Sequence, residues 1–139
     1  MPDPVPPRNP AMAVAAGAMK AQQSRMRVIA ENIANADSTS PVAGGEPYRR
    51  HVPVFQSRTV DGVTGVVLAE VRPDQGDFRM DYDPSHPAAN ADGYVMRPNV
   101  NTLVEAMDMR EAQRAYEANL NIIETARAME SRLLEILKK

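Results

Sequence analysis

Proline is excluded from two long stretches of this chain and crowded into the remainder. None lies between Pro10 and Pro41 and none follows Pro98, whereas Pro2, Pro4, Pro6, Pro7 and Pro10 all fall at the start. Proline has no amide proton and clashes with the preceding turn, so it breaks a helix anywhere but in its first turn. Long helices are therefore confined to the two proline-free stretches. The segment between them holds most of the glycines as well, which restricts it to turns and short strands.

The first stretch reads as a helix over residues 10–36. Asn9 before Pro10 is the pairing expected of an N-cap followed by the first helical residue. At 1.5 Å per residue such a helix runs about 40 Å. It should fray at Asn35-Ala36-Asp37-Ser38, where short polar side chains compete for backbone hydrogen bonds. Residues 1–9 form a Pro-rich tail, extended or disordered. The C-terminal segment, residues 101–139, should be helical to residue 138, about 55 Å long. Thr102 and Glu105 predict a capping box at its start. Glu111/Arg114, Glu124/Arg127 and Glu135/Lys139 have the spacing of surface ion pairs.

The middle segment, residues 37–100, shows partial alternation from Tyr48 to Phe55 and a β-favouring run from Val63 to Val71. Phe78, Met80 and Tyr82 lie two apart and would share one face of a short third strand. Asp83 to Pro98 reads as an ordered but non-repetitive connection. The fold class is thus mainly α with a small β insert: long N- and C-terminal helices form a coiled-coil-like core, and the middle is short, irregular and β-rich.

Helical spacing puts apolar rows on both terminal helices. Met12, Met19, Met26 and Ile33 recur every seventh residue, with Ala15, Gln22, Ile29 and Ala36 at the complementary heptad position. The C-terminal helix carries two rows side by side. One holds Met109, Tyr116, Ile123 and Leu137, broken at Glu130. The other holds Ala115, Ile122, Met129 and Ile136, and Leu133 widens the same face. A broad apolar helix face is ordinarily the core of a compact domain. Helices of this length cannot be covered by an insert of some sixty residues, however. That favours one row packing on the chain's own N-terminal helix and the other on neighbouring subunits.

Composition narrows the chemistry. Sixteen basic residues against eighteen acidic ones, a formal charge of −2, leave no chain-wide electrostatic footprint for nucleic acid. Without cysteine there is no disulfide, thiolate metal site or cysteine nucleophile. No apolar run is long enough for a transmembrane helix, and the first residues lack the features of a cleavable signal. His51 follows Arg49-Arg50 on a strand and reads as a solvated residue. Asp81, Asp83 and His86 faintly resemble a calcium loop, but His86 stands where that loop needs glycine. No phosphate loop, nucleophile elbow or paired-carboxylate motif stands out. No cofactor, small-molecule substrate or enzymatic activity is expected.

Several motifs resemble one family. Ala13 to Gln22, followed by Ile29-Ala-Glu-Asn32-Ile-Ala34-Asn35-Ala36-Asp37-Ser38, is similar to the N-terminal signature of bacterial flagellar rod, hook and hook-associated proteins. Tyr48-Arg49-Arg50, Asp83-Pro84-x-His86-Pro87-x-Ala89, Gly93-Tyr94-Val95 and Pro98-Asn99-Val100 resemble its proximal-rod members. So does Glu105 to Asn119, which includes Tyr116. The resemblance covers residues 11–139. Two departures are Gly17-Ala18 in place of the usual Ser-Gly and the proline-rich start.

The resemblance implies a structural subunit of the basal-body rod that polymerises helically through its terminal helices. Its partners would be copies of itself, other rod proteins, the basal-body base and the flagellar export apparatus. It would be exported without a cleaved signal and sit in the rod where this crosses the periplasm. Asn32 and Asn35 would cap the turn after the N-terminal helix or touch a neighbour. The residues alone leave two other readings open, a soluble coiled-coil adaptor of the export system and a metal-dependent enzyme.

Overall fold

The computed structural model describes residues 9–60 and 62–139. Helix α1 spans Pro10–Ala34 and opens as expected: the Asn9 side chain accepts from the amides of Ala11 and Met12, and Pro10 takes the first position. The expected tail, apart from Asn9, lies outside the described residues. Helix α1 ends at Ala34, two residues before the expected residue 36, where the run of short polar side chains begins. Asn35 closes it, donating from both its backbone and its side chain to the Glu31 carbonyl, and Ala36 packs beneath the turn at 2% exposure.

Strands β1, His51–Val60, and β2, Val63–Pro73, form an antiparallel hairpin with a bulge at Val54/Phe55. Gly62, at φ +76°, supplies the left-handed residue that a two-residue hairpin turn requires. Strand β3, Arg79–Tyr82, pairs antiparallel with β4, Tyr94–Arg97. The sequence reading placed β4 inside an irregular connection. A strand of four residues has too little alternation to register alone, and its pairing depends on Gly93. This residue is buried at φ +85°, and a Cβ there would lie 3.0 Å from both Pro84 Cγ and Tyr82 Cε2. Gly93→Ala is expected to cost about 2 kcal/mol, through backbone strain and that clash. An unchanged urea midpoint would show that the turn relaxes freely.

Helix α2, Thr102–Leu137, completes the chain. Its N-cap is Asn101, which accepts from the amides of Leu103 and Val104. The expected Thr102/Glu105 box is not made. With the cap one residue earlier, Glu105 is the fourth helical residue and its carboxylate turns inward instead. Helices α1 and α2 pack antiparallel: Asn9 meets Glu130 at one end, Arg25 meets Glu111 midway, and Asn32 meets Glu105 at the other. Glu111 thus pairs across the helices rather than with Arg114. The fold class is as read: two long helices with a small antiparallel β insert. No described helix is long and apolar enough to cross a membrane.

Candidate assembly interface

The two polar anchors decide which face of α2 is inward. Glu105 and Glu130 bracket a row continuing through Met109, Ala112, Tyr116, Asn119, Ile123 and Ala126, spaced by alternating fours and threes. Glu105, Ala112 and Ala126 are buried, and the other members are half-buried. Of the two rows read from the sequence, this one contains Met109, Tyr116 and Ile123. Its break at Glu130 is the anchor itself, accepting from Asn9 Nδ2 at 3.1 Å. Ala112, at 0% exposure, leaves no room at the helix crossing. Ala112→Leu should destabilise the chain by about 2–3 kcal/mol by forcing the helices apart; a loss below half that value would mean the seam repacks.

On α1, Met12, Met19 and Met26 are half-buried, while Ala15 and Ile29 are buried. Ile33 departs from the expected row and is 38% exposed. Asn32, one residue earlier and about 100° away around the helix, is buried instead, at 1% exposure, and donates to Glu105 of α2. Val28, at 1% exposure, is a core residue the heptad reading did not single out. Gln22, the polar flaw in that reading, has its side-chain oxygen buried with no hydrogen-bond partner among the described residues.

The second row stays outside. Ile122, Met129 and Ile136 are 47%, 61% and 68% exposed. Ile122 runs beside Ala11 and Val14 of α1 and Met129 beside Ala11, forming shallow apolar grooves along the helix pair. Beyond Glu130, α2 continues for about 10 Å past the start of α1. Every residue there is exposed, including Leu133, Leu134 and Leu137. Contiguous exposed apolar surface of this kind marks an interaction face.

At the opposite end of the helix pair lies a buried polar hub joining helices to hairpin. Asn32 uses its whole amide: Nδ2 donates to the His51 carbonyl and to Glu105, while Oδ1 accepts from the His51 amide and the Tyr48 hydroxyl. The Glu105 carboxylate, at 1% residue exposure, also accepts from Arg50, whose guanidinium reaches Asp74 as well. Asn99 accepts from the Arg50 amide and donates to the carbonyls of Asp74 and Gly76; Arg49 donates to the same two carbonyls and lies over the Phe78 ring. Burial raises the Tyr48 hydroxyl above its ordinary pKa, and Glu31 and Glu105 add to the effect. Tyr48 therefore stays a donor to Asn32.

The Asp74 carboxyl is held below the usual range, first by the Gly76 amide and then by Arg50. A depressed carboxylate contributes stability that is present above its unfolded pKa and lost as pH falls through the folded value. Stability should therefore decline below about pH 4, and Asp74→Asn should flatten that acid limb. An identical acid limb in the variant would remove Asp74 from the account.

The remaining motif residues are spread over the helices, their ends and the β3–β4 pair. Ala34 is the last helical residue, Asn35 the C-cap, and Pro98 a buried residue leading into α2. Asn119 donates to Ala115 one turn back. Tyr94 is exposed beside Tyr82. His51 is half-buried against Tyr48, and His86 accepts from the Ala88 amide. Asp81 pairs with Arg97, and Asp83 accepts from Ser85. The hub was missed in the sequence because Glu105 looked like a capping carboxylate. The available signal was a lone carboxylate at a heptad position of the inward row.

Paired helices with a hub at one end and an unpaired apolar row along one side define an assembly subunit. The family model described as Flagella basal body rod protein matches residues 12–40, and that described as Flagellar basal body rod FlgEFG protein C-terminal matches residues 91–136. The flagellar basal-body rod protein FlgC of Agrobacterium fabrum is 42% identical over 95% of this chain and 96% of its own length. Its counterpart in Bacillus subtilis is 37% identical over 90% and 95%, and that of Salmonella typhimurium 40% over 84% and 87%. The chain belongs to the flagellar basal-body rod protein family, in its FlgC type. It is a structural rod protein of the flagellum, not an enzyme.

Proposed function

We propose that this chain builds the proximal part of the rod by polymerising through its terminal helices, its outer α2 row buried against neighbouring copies and other rod proteins. The observation that carries this is the exposed part of the outer row, Ile122, Met129 and Ile136 with Leu133, in a chain of this family; Ala115 heads that row half-buried, and Leu137, expected in the inner row, lies past the start of α1 at 80% exposure and adds to the same open end. The inner members Met12, Met19, Met26, Ile29, Met109, Tyr116 and Ile123 hold the helix pair that presents it. Contacts between unlike patches that do not close into a ring generate a helical tube, and burying an apolar row along its length stiffens it. The same reading places the subunit where the rod crosses the periplasm. It would arrive through the flagellar export apparatus and contact the basal-body base.

Purified hook–basal bodies provide the test. The chain, carrying an epitope, should co-purify with them and label the proximal rod. A chain recovered only in the soluble fraction, with rods still formed, would favour a cytoplasmic adaptor and end the proposal.

A further inference from the structure

The β3–β4 pair exposes a face that the helix pair does not use. Tyr82 and Tyr94 are directly paired across the two strands, and so are Met80 and Met96. Alternation turns these four to one side, while Val95, at 0% exposure, packs on the other. Met80, Tyr82 and Tyr94 are 50%, 67% and 42% exposed. The tyrosine rings lie 5.2 Å apart at 63°, forming an open aromatic corner. Pro84 lies nearby, since a Cβ on Gly93 would be 3.0 Å from both Pro84 Cγ and Tyr82 Cε2. The carboxylates of Asp83 and Asp92 flank the two tyrosines in sequence. Hydrogen bonds from Ser85 hold the Asp83 carboxyl below its usual pKa, so it is ionised at neutral pH.

An angled pair of exposed aromatics with acidic flanks suits a proline-rich peptide ending in a basic residue. Proline chains favour an extended, low-entropy helix whose rings lie on aromatic surfaces. The chain contains one such stretch, Pro4-Val5-Pro6-Pro7-Arg8. Its own tyrosine face is out of reach. Arg97 touches the Asp37 carbonyl, just past the end of α1, whereas the proline stretch joins the start of α1 at Asn9. Those ends are about 37 Å apart along α1. Even if β3–β4 ran straight back towards Asn9, its four residues would recover only about 10 Å. Five residues in an extended proline-type helix span only about 16 Å.

We propose that residues 4–8 of one copy dock on the Met80, Tyr82, Tyr94 face of a second copy, with Arg8 against Asp83 and Asp92. This rests on the reading that the chain assembles with its own copies. It adds a connection separate from the α2 row, one that ties the start of one subunit to the β insert of another. The prolines at the head of the chain, which cannot lengthen α1, thereby gain a partner.

The absence of cysteine permits a clean test with the full chain. Val5→Cys and Met80→Cys chains, mixed at high concentration and mildly oxidised, should yield a disulfide-linked heterodimer. A Val5→Cys and Gln75→Cys mixture, with Gln75 exposed between β2 and β3 and outside both proposed contacts, should yield about tenfold less. Adding Tyr82→Ala and Tyr94→Ala to the Met80→Cys chain should cut the yield about tenfold, the scale of losing a desolvated aromatic contact. Arg8→Glu on the other chain should also lower it. Both tyrosines are exposed, so an unchanged melting curve would confirm that the variants fold. Equal linking at Gln75, or linking indifferent to these substitutions, would overturn the proposal. Co-purification with hook–basal bodies without the Val5–Met80 link would sink the docking and leave the rod reading standing. The link in a chain that stays soluble would do the reverse.

Discussion

Met129→Asp combined with Ile136→Asp is expected to abolish swimming while leaving the isolated chain's melting temperature within about 3 °C of its parent. The two side chains are 61% and 68% exposed in the folded subunit. Replacing them removes little burial from the monomer, and the cost is limited to a small unfavourable interaction of Asp with the C-terminal half of α2. In a polymer that buries this row, each subunit would instead take two unpaired carboxylates into an apolar contact. Desolvating an unpaired charge costs several kcal/mol even after the surroundings relax. The penalty repeats at every subunit, so assembly should fail outright.

Swimming at the parental rate would show that the outer row stays in water. Met26→Asp or Ile123→Asp would be a poorer probe. Both residues are half-buried within the subunit's own helix pair, so either change unfolds the chain and prevents assembly together. The outer row separates the two.

Glu105→Ala should lower the unfolding free energy by about 3 kcal/mol. The carboxylate is the common acceptor of Asn32 and Arg50, and with it α1, the start of β1 and the start of α2 converge on one residue that is 1% exposed. Removing it leaves the Asn32 amide with one acceptor fewer and the Arg50 guanidinium short of its closest counter-charge. Losing one partner of a buried pair costs about 3–5 kcal/mol. The lower bound applies because Arg50 is partly exposed and keeps Asp74 at 3.2 Å. Glu105→Gln, which retains the shape and one acceptor oxygen, should cost less than half as much. Urea unfolding measures both. A Glu105→Ala loss under 1 kcal/mol would mean the helices and hairpin are joined by apolar packing alone, with the hub incidental.

Much of the framework was legible locally. Asn9-Pro10 announces a helix start because the cap involves only groups within three residues of each other. The hairpin turn is legible for the same reason: only a residue that tolerates positive φ fits it, and Gly62 stands there. The Thr102/Glu105 box is the instructive failure. Its residues and spacing are correct, but Asn101 takes the cap and Arg50, 55 positions away, claims the carboxylate. Strand β4 failed differently, since four residues carry less pattern than the partner that orders them.

By itself, the sequence determined where helix could and could not form, the cap that starts α1, and the presence of two adjacent apolar rows on α2. Those properties arise within one or two turns of backbone, where proline, glycine and short polar side chains act on their neighbours. Which row turns inward was decided only by the tertiary structure. The rows are one residue apart, about 100° around the helix, and hydrophobic period cannot choose between two such stripes. The choice falls to Asn32 with Glu105, a buried pair 73 residues apart that must be satisfied, helped by the half-buried Asn9 with Glu130, 121 residues apart. Meeting that requirement turns Met109, Tyr116 and Ile123 towards α1 and leaves Ile122, Met129 and Ile136 exposed.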